Sequence, residues 1–288
     1  ADIAMYRAKG KGNCYEFYEQ NMEQDVARRL GIESDLRGAI ERNEMLVYYQ
    51  PQLDLVTNEL IGMEALVRWQ HPKQGMMNPL EFISLAEETG QILELGEWVM
   101  KTACAQLKTW LDQGVPPIHV AVNLAARQLD NGDIVERVAA TIMETGIPPE
   151  LLELEITEST IMENAEKVIV TLDRLKTMGV KLAVDDFGTG YSSLSYLKRF
   201  PIDLLKIDRA FVSDITTNKV DADIVTTIIA LSHSLNVKVI AEGVETEEQK
   251  ALLAREGCDS MQGFLFGKPV PPDEFERQFL HKKISQAS

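Results

Sequence analysis

Acidic and amide side chains recur at the ends of short apolar runs in this sequence of 288 residues. Glu64 stands in Gly-Met-Glu-Ala-Leu, followed by Arg68, and Asn123 stands in Val-Asn-Leu. Glu155 and Glu158 lie in Glu-Leu-Glu-Ile-Thr-Glu, and the adjacent Asp185 and Asp186 close Ala-Val-Asp-Asp. Lys206 and Asp208 end another run, Glu242 and Glu245 follow in Ala-Glu-Gly-Val-Glu, and Gln262 with Gly263 comes last. Taken singly, an acid at a strand end is more often a cap or turn residue than a ligand. Their repetition is informative. If the run ends meet, Glu64, Glu155, Asp185, Asp186 and Glu242 share one mouth. Packing carboxylates together costs several kcal/mol per uncompensated ion, and divalent cations are the obvious compensation. Oxygen-only ligands favour Mg²⁺ or Mn²⁺ over Zn²⁺. Neighbouring Asp185 and Asp186 suit a pair of ions, which at about 3.5–4 Å apart stabilise the attacking and leaving oxygens of an in-line phosphoryl displacement. Lys206 among these acids is placed to position or polarise an attacking water.

The elements that must bring these residues together follow from the pattern. Runs rich in Val, Ile, Leu and aromatics over 46–55, 60–69, 118–124, 151–157, 181–186, 204–207, 238–241 and 260–264 predict strands. Helical periodicity falls between them, over 94–111, 133–144, 165–178, 221–235 and 247–255, with Gly179 and Gly257 as stops. Strands mostly alternating with helices predict an α/β fold, a (β/α)8 TIM-like barrel, whose chemistry sits at the carboxyl ends of the strands. Only Thr57-Asn58-Glu59 joins the first two strands, too short for a parallel crossover, so the first strand should be antiparallel. Residues 20–37 look helical and charged and stand outside this pattern, as does the short basic stretch before them.

Composition removes several alternatives. A net charge of −16 argues against a nucleic-acid polymer as partner, though not against a small phosphate ligand held by ions. Three scattered cysteines and four unpaired histidines give neither a disulfide framework nor a zinc spacing, which fits a reducing, cytoplasmic compartment. No apolar run of about 18 residues is present to span a bilayer, so no membrane contact is expected in this segment. Asp186-Phe187-Gly188 matches the metal-binding triplet of protein kinases, but the Gly-rich and His-Arg-Asp loops are missing. Gly188-Thr189-Gly190 is either a turn or a flexible loop beside the site. Trp69, Trp98 and Trp110 read as packing residues.

With these motifs in order, the chain resembles the EAL family of cyclic-di-GMP phosphodiesterases. Glu64-Ala65-Leu66 with Arg68 matches the signature that names the family. The resemblance spans about 34–282 and includes Tyr49-Gln50-Pro51, Val122-Asn123-Leu124, Glu155-Ile156-Thr157-Glu158, the stretch from Asp185 to Leu194, Leu205-Lys206-Ile207-Asp208, Ala241-Glu242-Gly243-Val244-Glu245 and Gln262-Gly263. It implies hydrolysis of cyclic-di-GMP to linear 5'-pGpG with two ions, Mg²⁺ or Mn²⁺, and inhibition by Ca²⁺. It implies that Glu64, Asn123, Glu155 and Asp185 hold one ion, and that Asp185, Asp186 and Glu242 serve the second. Glu242 is left open between ligand and base. Lys206 would orient the water; Gln50, Leu66 and Arg68 would contact the substrate, and Gln262 would steady the ion site. Glu158 would anchor the loop after strand 181–186, coupling the site to a homodimer interface near that strand and the next, and Glu245 would support the end of strand 238–241. One departure is Ala125, where many members have Ser after Asn-Leu; a modest effect is expected. Residues 1–19 resemble the end of a GGDEF-type diguanylate cyclase domain, with 20–33 as a helical linker, so a longer parent with an upstream cyclase domain is expected. It could be membrane-tethered through segments upstream. The competing reading is a receptor that binds cyclic-di-GMP without cutting it. Family receptors usually lose metal ligands or the lysine, and this chain keeps all of them. A metal-dependent barrel enzyme for another substrate is the third reading.

Overall fold

The computed structural model describes residues 22–189 and 194–280. Strands β1 (Met45–Asp54), β2 (Leu60–His71), β4 (His119–Asn123), β5 (Leu152–Thr157), β6 (Lys181–Phe187), β7 (Leu204–Ile207), β8 (Lys238–Ala241) and β9 (Ser260–Gln262) close a barrel in the order β1-β9-β8-β7-β6-β5-β4-β2. A short β3 (Gly75–Met77) extends β2 on the outside. β1 runs antiparallel to both β2 and β9, while β4 through β9 run parallel. The short Thr57-Asn58-Glu59 connection does make a hairpin, with Asn58 at φ 56° taking the left-handed turn position.

Parallel strands need covered faces, and amphipathic helices supply the cover. Helices Ile92–Asp112, Ile134–Thr145, Ala165–Thr177, Lys219–Ser234 and Glu247–Arg255 match the periodic stretches, and Gly179 (φ 93°) and Gly257 (φ 86°) follow two of them in the left-handed region. Trp69 and Trp110 are fully buried; Trp110 stacks on Phe275 at 5.6 Å between centroids. Trp98 is half-buried against the same core.

Two features depart from the expected elements. The helix Pro79–Thr89 was not anticipated, although Asn78 caps it, Pro79 opens it, and Phe82, Leu85 and Ala86 bury one face. The last barrel strand ends at Gln262, not at 264. A Cβ on Gly263 would lie 2.1 Å from the Val244 carbonyl oxygen, so the chain turns there against a neighbouring backbone. The charged stretch over 20–37 does form a helix, Met22–Leu36, which buries Ile32 and Leu36 against the barrel and carries an Arg28–Glu81 ion pair at 2.6 Å. Residues 1–19, with the GGDEF resemblance, and Gly190–Ser193 of the loop motif lie outside the described residues.

Candidate active site

Period-2 alternation aims Gln50 and Gln52 on β1, Glu64 on β2, Asn123 on β4, Glu155 on β5 and Lys206 on β7 into the barrel. Gln50 pairs in register with Glu64, and Asn123 with Glu155, so the mouth is laced across strands. Asn123 Nδ2 donates to Glu64 Oε1 at 2.7 Å, and Gln262 Nε2 donates to Glu64 Oε2 at 2.5 Å and to Gln50 Oε1 at 3.1 Å.

Lys206 is fully buried at the centre of the acids. Its Nζ lies 2.7 Å from Glu155, 2.8 Å from Glu242, 3.1 Å from Asp185 and 3.9 Å from Glu64. Burial works against its charge, but Glu155, Glu242, Glu64 and Asp185 together outweigh that and hold its pKa well above the ordinary lysine value. Lys206 is therefore an ammonium at neutral pH, a donor rather than a base.

Two adjacent aspartates on a regular strand would face opposite ways. Here the β6–β7 register shifts between Val184 and Phe187, and Asp186 adopts φ 53°, a left-handed conformation uncommon for a non-glycine residue. The bulge turns both carboxylates to the mouth, and Asp185, Asp186 and Glu242 each offer an oxygen within 4.8 Å of the others. Asp208, read from sequence only as a strand-end acid, lies beside Asp186, where it helps to raise that carboxyl, and accepts from Ala210 N at 2.7 Å to cap the next helix.

The donor set suits hard divalent ions. All the groups offer oxygen, and Glu155 Oε1 is buried without a hydrogen-bond partner, an oxygen that an ion would satisfy. Glu158 Oε2 accepts from Gly188 N at 2.8 Å, tying β5 to the turn after β6. Leu66 and Arg68 are half-buried on the Glu64 face of β2, nearer the rim, with Arg68 5.6 Å over the Tyr48 ring. Glu245 is not among the clustered acids; it is partly exposed and pairs with Arg209 at 3.1 Å. Gln52 and His119, polar residues at inward-facing strand positions that the motifs do not include, also lie in the barrel interior, joined at 2.7 Å.

Burial pushes the Glu242 carboxyl up to about 8 and, with the Asp185 charge, that of Asp186 up to about 6; burial also lifts Glu153, deeper in the barrel, to about 7. Raised folded-state values mean that the folded chain holds protons that the unfolded chain gives up. The associated stability is present at acid pH and is lost as pH rises through about 6 to 8. In chelator, the melting temperature should fall by at least about 5 °C between about pH 6 and 8.5, since in domains of this size each kcal/mol is worth about 2–4 °C. Saturating Mn²⁺ should flatten the slope. A chelated chain whose melting temperature is level or rises across that range contradicts this electrostatic picture.

The sequence matches the EAL domain family over residues 33–269. It is 46% identical over 275 residues to the bifunctional diguanylate cyclase/cyclic di-GMP phosphodiesterase MucR of Pseudomonas aeruginosa, covering 95% of this chain and 40% of that protein. It is 42% identical over 281 residues to the cyclic di-GMP phosphodiesterase PdeR of Escherichia coli, covering 97% of this chain and 42% of that one. The chain thus spans about two fifths of the length of these relatives. Among solved structures, a PaMucR phosphodiesterase in complex with c-di-GMP superposes with a TM-score of 0.83 at 46% identity, over 85% of this chain and 99% of that one.

Proposed function

The chain belongs to the EAL-domain family, and from that membership we propose that it hydrolyses cyclic-di-GMP to linear 5'-pGpG with the help of two divalent ions. The observation that carries the reading is the acid cluster around Lys206, with Asp185, Asp186 and Glu242 within one ion's reach. Glu64, Asn123, Glu155 and Asp185 would hold one ion, and Asp185, Asp186 and Glu242 the other, with Glu242 taken as ligand rather than base. When bound, such ions supply positive charge that activates water and stabilises the phosphoryl oxygens. Lys206, held charged, donates to the attacking oxygen and keeps it in line with the bond to be broken. Gln50, Leu66 and Arg68 at the rim contact the substrate, and Gln262 keeps Glu64 aimed inward through the bond at 2.5 Å. The water oxygen bonds to phosphorus as the P–O3' bond breaks, one water proton ends on the 3'-oxygen, and the product keeps its 5'-phosphate.

Glu158 anchors the turn at Gly188, and Glu245 braces the end of β8 through Arg209. Through the Glu158 tie we propose a homodimer that meets near β6 and β7. Light scattering at micromolar concentration should give twice the chain mass; a fully active monomer would refute it. We also propose that residues 1–19 are the end of a cyclase domain, that 20–33 link it to the barrel at 34–282, and that the barrel works in the cytoplasm. Free buried Cys104 and Cys258 suit that compartment, and no helix among the described residues is long and apolar enough to cross a membrane.

Mg²⁺ or Mn²⁺ should be required, and Ca²⁺ should inhibit in competition with either. Ca²⁺ takes more ligands at longer bonds, about 2.3–2.6 Å against about 2.0–2.1 Å for Mg²⁺, and so fills the acid cluster without the reactive geometry. Exhaustive dialysis against chelator should abolish turnover and Mn²⁺ should restore it. Undiminished turnover after chelation would overturn the ion-dependent reading.

A further inference from the structure

Beneath the acid cluster a polar chain runs down the inside of the barrel. Glu64, as a carboxylate, can only accept, so Gln262 must present its NH₂ to it, at 2.5 Å. The second hydrogen of that NH₂ goes to Gln50 Oε1 at 3.1 Å. Gln262 Oε1 then needs a donor, which is Gln52 Nε2 at 2.9 Å. Gln52 Oε1 in turn needs a donor, and the atom facing it is His119 Nε2 at 2.7 Å. Each amide can be turned over in isolation; in sequence, every link dictates the orientation of the next. The lower end is built for its occupant. Gly62, register partner of His119 and two residues before Glu64 on the same strand face, leaves the imidazole its space. A Cβ there would lie 2.2 Å from Nε2.

We infer that His119 and Gln52 are positioning residues for ion binding: the imidazole Nε2–H fixes Gln52, Gln52 fixes Gln262, and Gln262 holds Glu64 in the orientation that receives the ion. The inference rests on the reading of Glu64 as an ion ligand. Burial holds the imidazole pKa down at about 3 against a backbone contact at Ile61, so the ring stays neutral at any working pH; its one N–H goes to Gln52, because an unprotonated Nε2 would set two acceptors 2.7 Å apart. Without that donor, Gln52 is free to turn, and a turned Gln262 would set its carbonyl oxygen against Glu64.

The test is Mn²⁺ affinity by titration calorimetry on the full chain, with no substrate present, alongside the melting temperature in chelator. His119→Phe keeps an aromatic ring and removes the donor; Gln52→Met keeps the side-chain length and removes both partners. Each should weaken Mn²⁺ about tenfold, the low end for loss of a group that orients a ligand. The double variant should be no weaker than either single one, because both act through one chain. His119→Gln, whose amide nitrogen reaches about where Nε2 stood, should recover most of the affinity. Packing residues without a positioning role would lower the melting temperature and leave Mn²⁺ affinity within twofold of the parent. That result, additive losses in the double variant, or no recovery in His119→Gln would each overturn the inference. If His119→Phe does not fold, Gln52→Met and His119→Gln decide it. A parent chain that takes up no Mn²⁺ overturns the functional reading and the positioning role together, whereas a parent that binds and variants that match it overturn the positioning role alone.

Discussion

Glu64→Ala should lower turnover of cyclic-di-GMP by roughly a thousandfold, about 4 kcal/mol of barrier. Glu64 is the residue on which three arms of the site meet. It accepts from Asn123 at 2.7 Å and from Gln262 at 2.5 Å, and lies 3.9 Å from Lys206. Alanine removes an ion ligand and frees Asn123 and Gln262 to turn. The fold should survive, because one fewer buried acid relieves repulsion among the rest. Melting curves separate the effects. The parent should gain stability with Mn²⁺ according to RT ln(1 + [Mn²⁺]/Kd), and the variant should gain much less. Turnover near the parent rate would place the chemistry elsewhere.

Lys206→Ala should lower kcat by about a hundredfold or more while the substrate Kd moves by no more than about threefold. A donor that acts on the developing charge contributes more in the transition state than in the ground state. The opposing account makes the lysine a structural counter-ion to Glu155, Glu242 and Asp185, at 2.7, 2.8 and 3.1 Å. The two accounts differ in how ions matter. In chelator, removing the ammonium leaves buried acids uncompensated, and the melting temperature should drop sharply by either account. With Mn²⁺ saturating, the ions take over that compensation, the fold should recover, and only the kcat loss should persist. Recovery of both stability and kcat, or loss of substrate binding by the Mn²⁺-loaded variant, would make the lysine structural.

The barrel strands were legible because buried parallel strands are written in Val, Ile and Leu and end in residues that break the pattern. Asn123, Glu155 and Lys206 stand at such ends and could be read directly. The antiparallel first strand was legible from a connection too short for a crossover. The bulge at Asp185 and Asp186 was not, since nothing local marks Asp186 for φ 53°; the strain is imposed by the surrounding barrel. Nor was the link from His119 through Gln52 to Gln262, which joins residues 67 and 210 positions apart. Glu245 is set apart from Glu242 only by the family resemblance, which gives it a supporting role; nothing local in the motif shows that the turn after β8 carries it outward to Arg209. The helix Pro79–Thr89 was legible in principle from the Asn-Pro start and the spacing of Phe82, Leu85 and Ala86.

Incubation of the purified chain with cyclic-di-GMP and Mn²⁺, followed by chromatographic separation of the nucleotides, tests the central claim most directly. The site described here predicts conversion to linear 5'-pGpG that stops on chelation and is lost in Glu64→Ala. Cyclic-di-GMP bound but recovered intact after prolonged incubation with Mn²⁺ would make the chain a receptor, and the nucleotide neither bound nor cut would contradict the assignment of substrate.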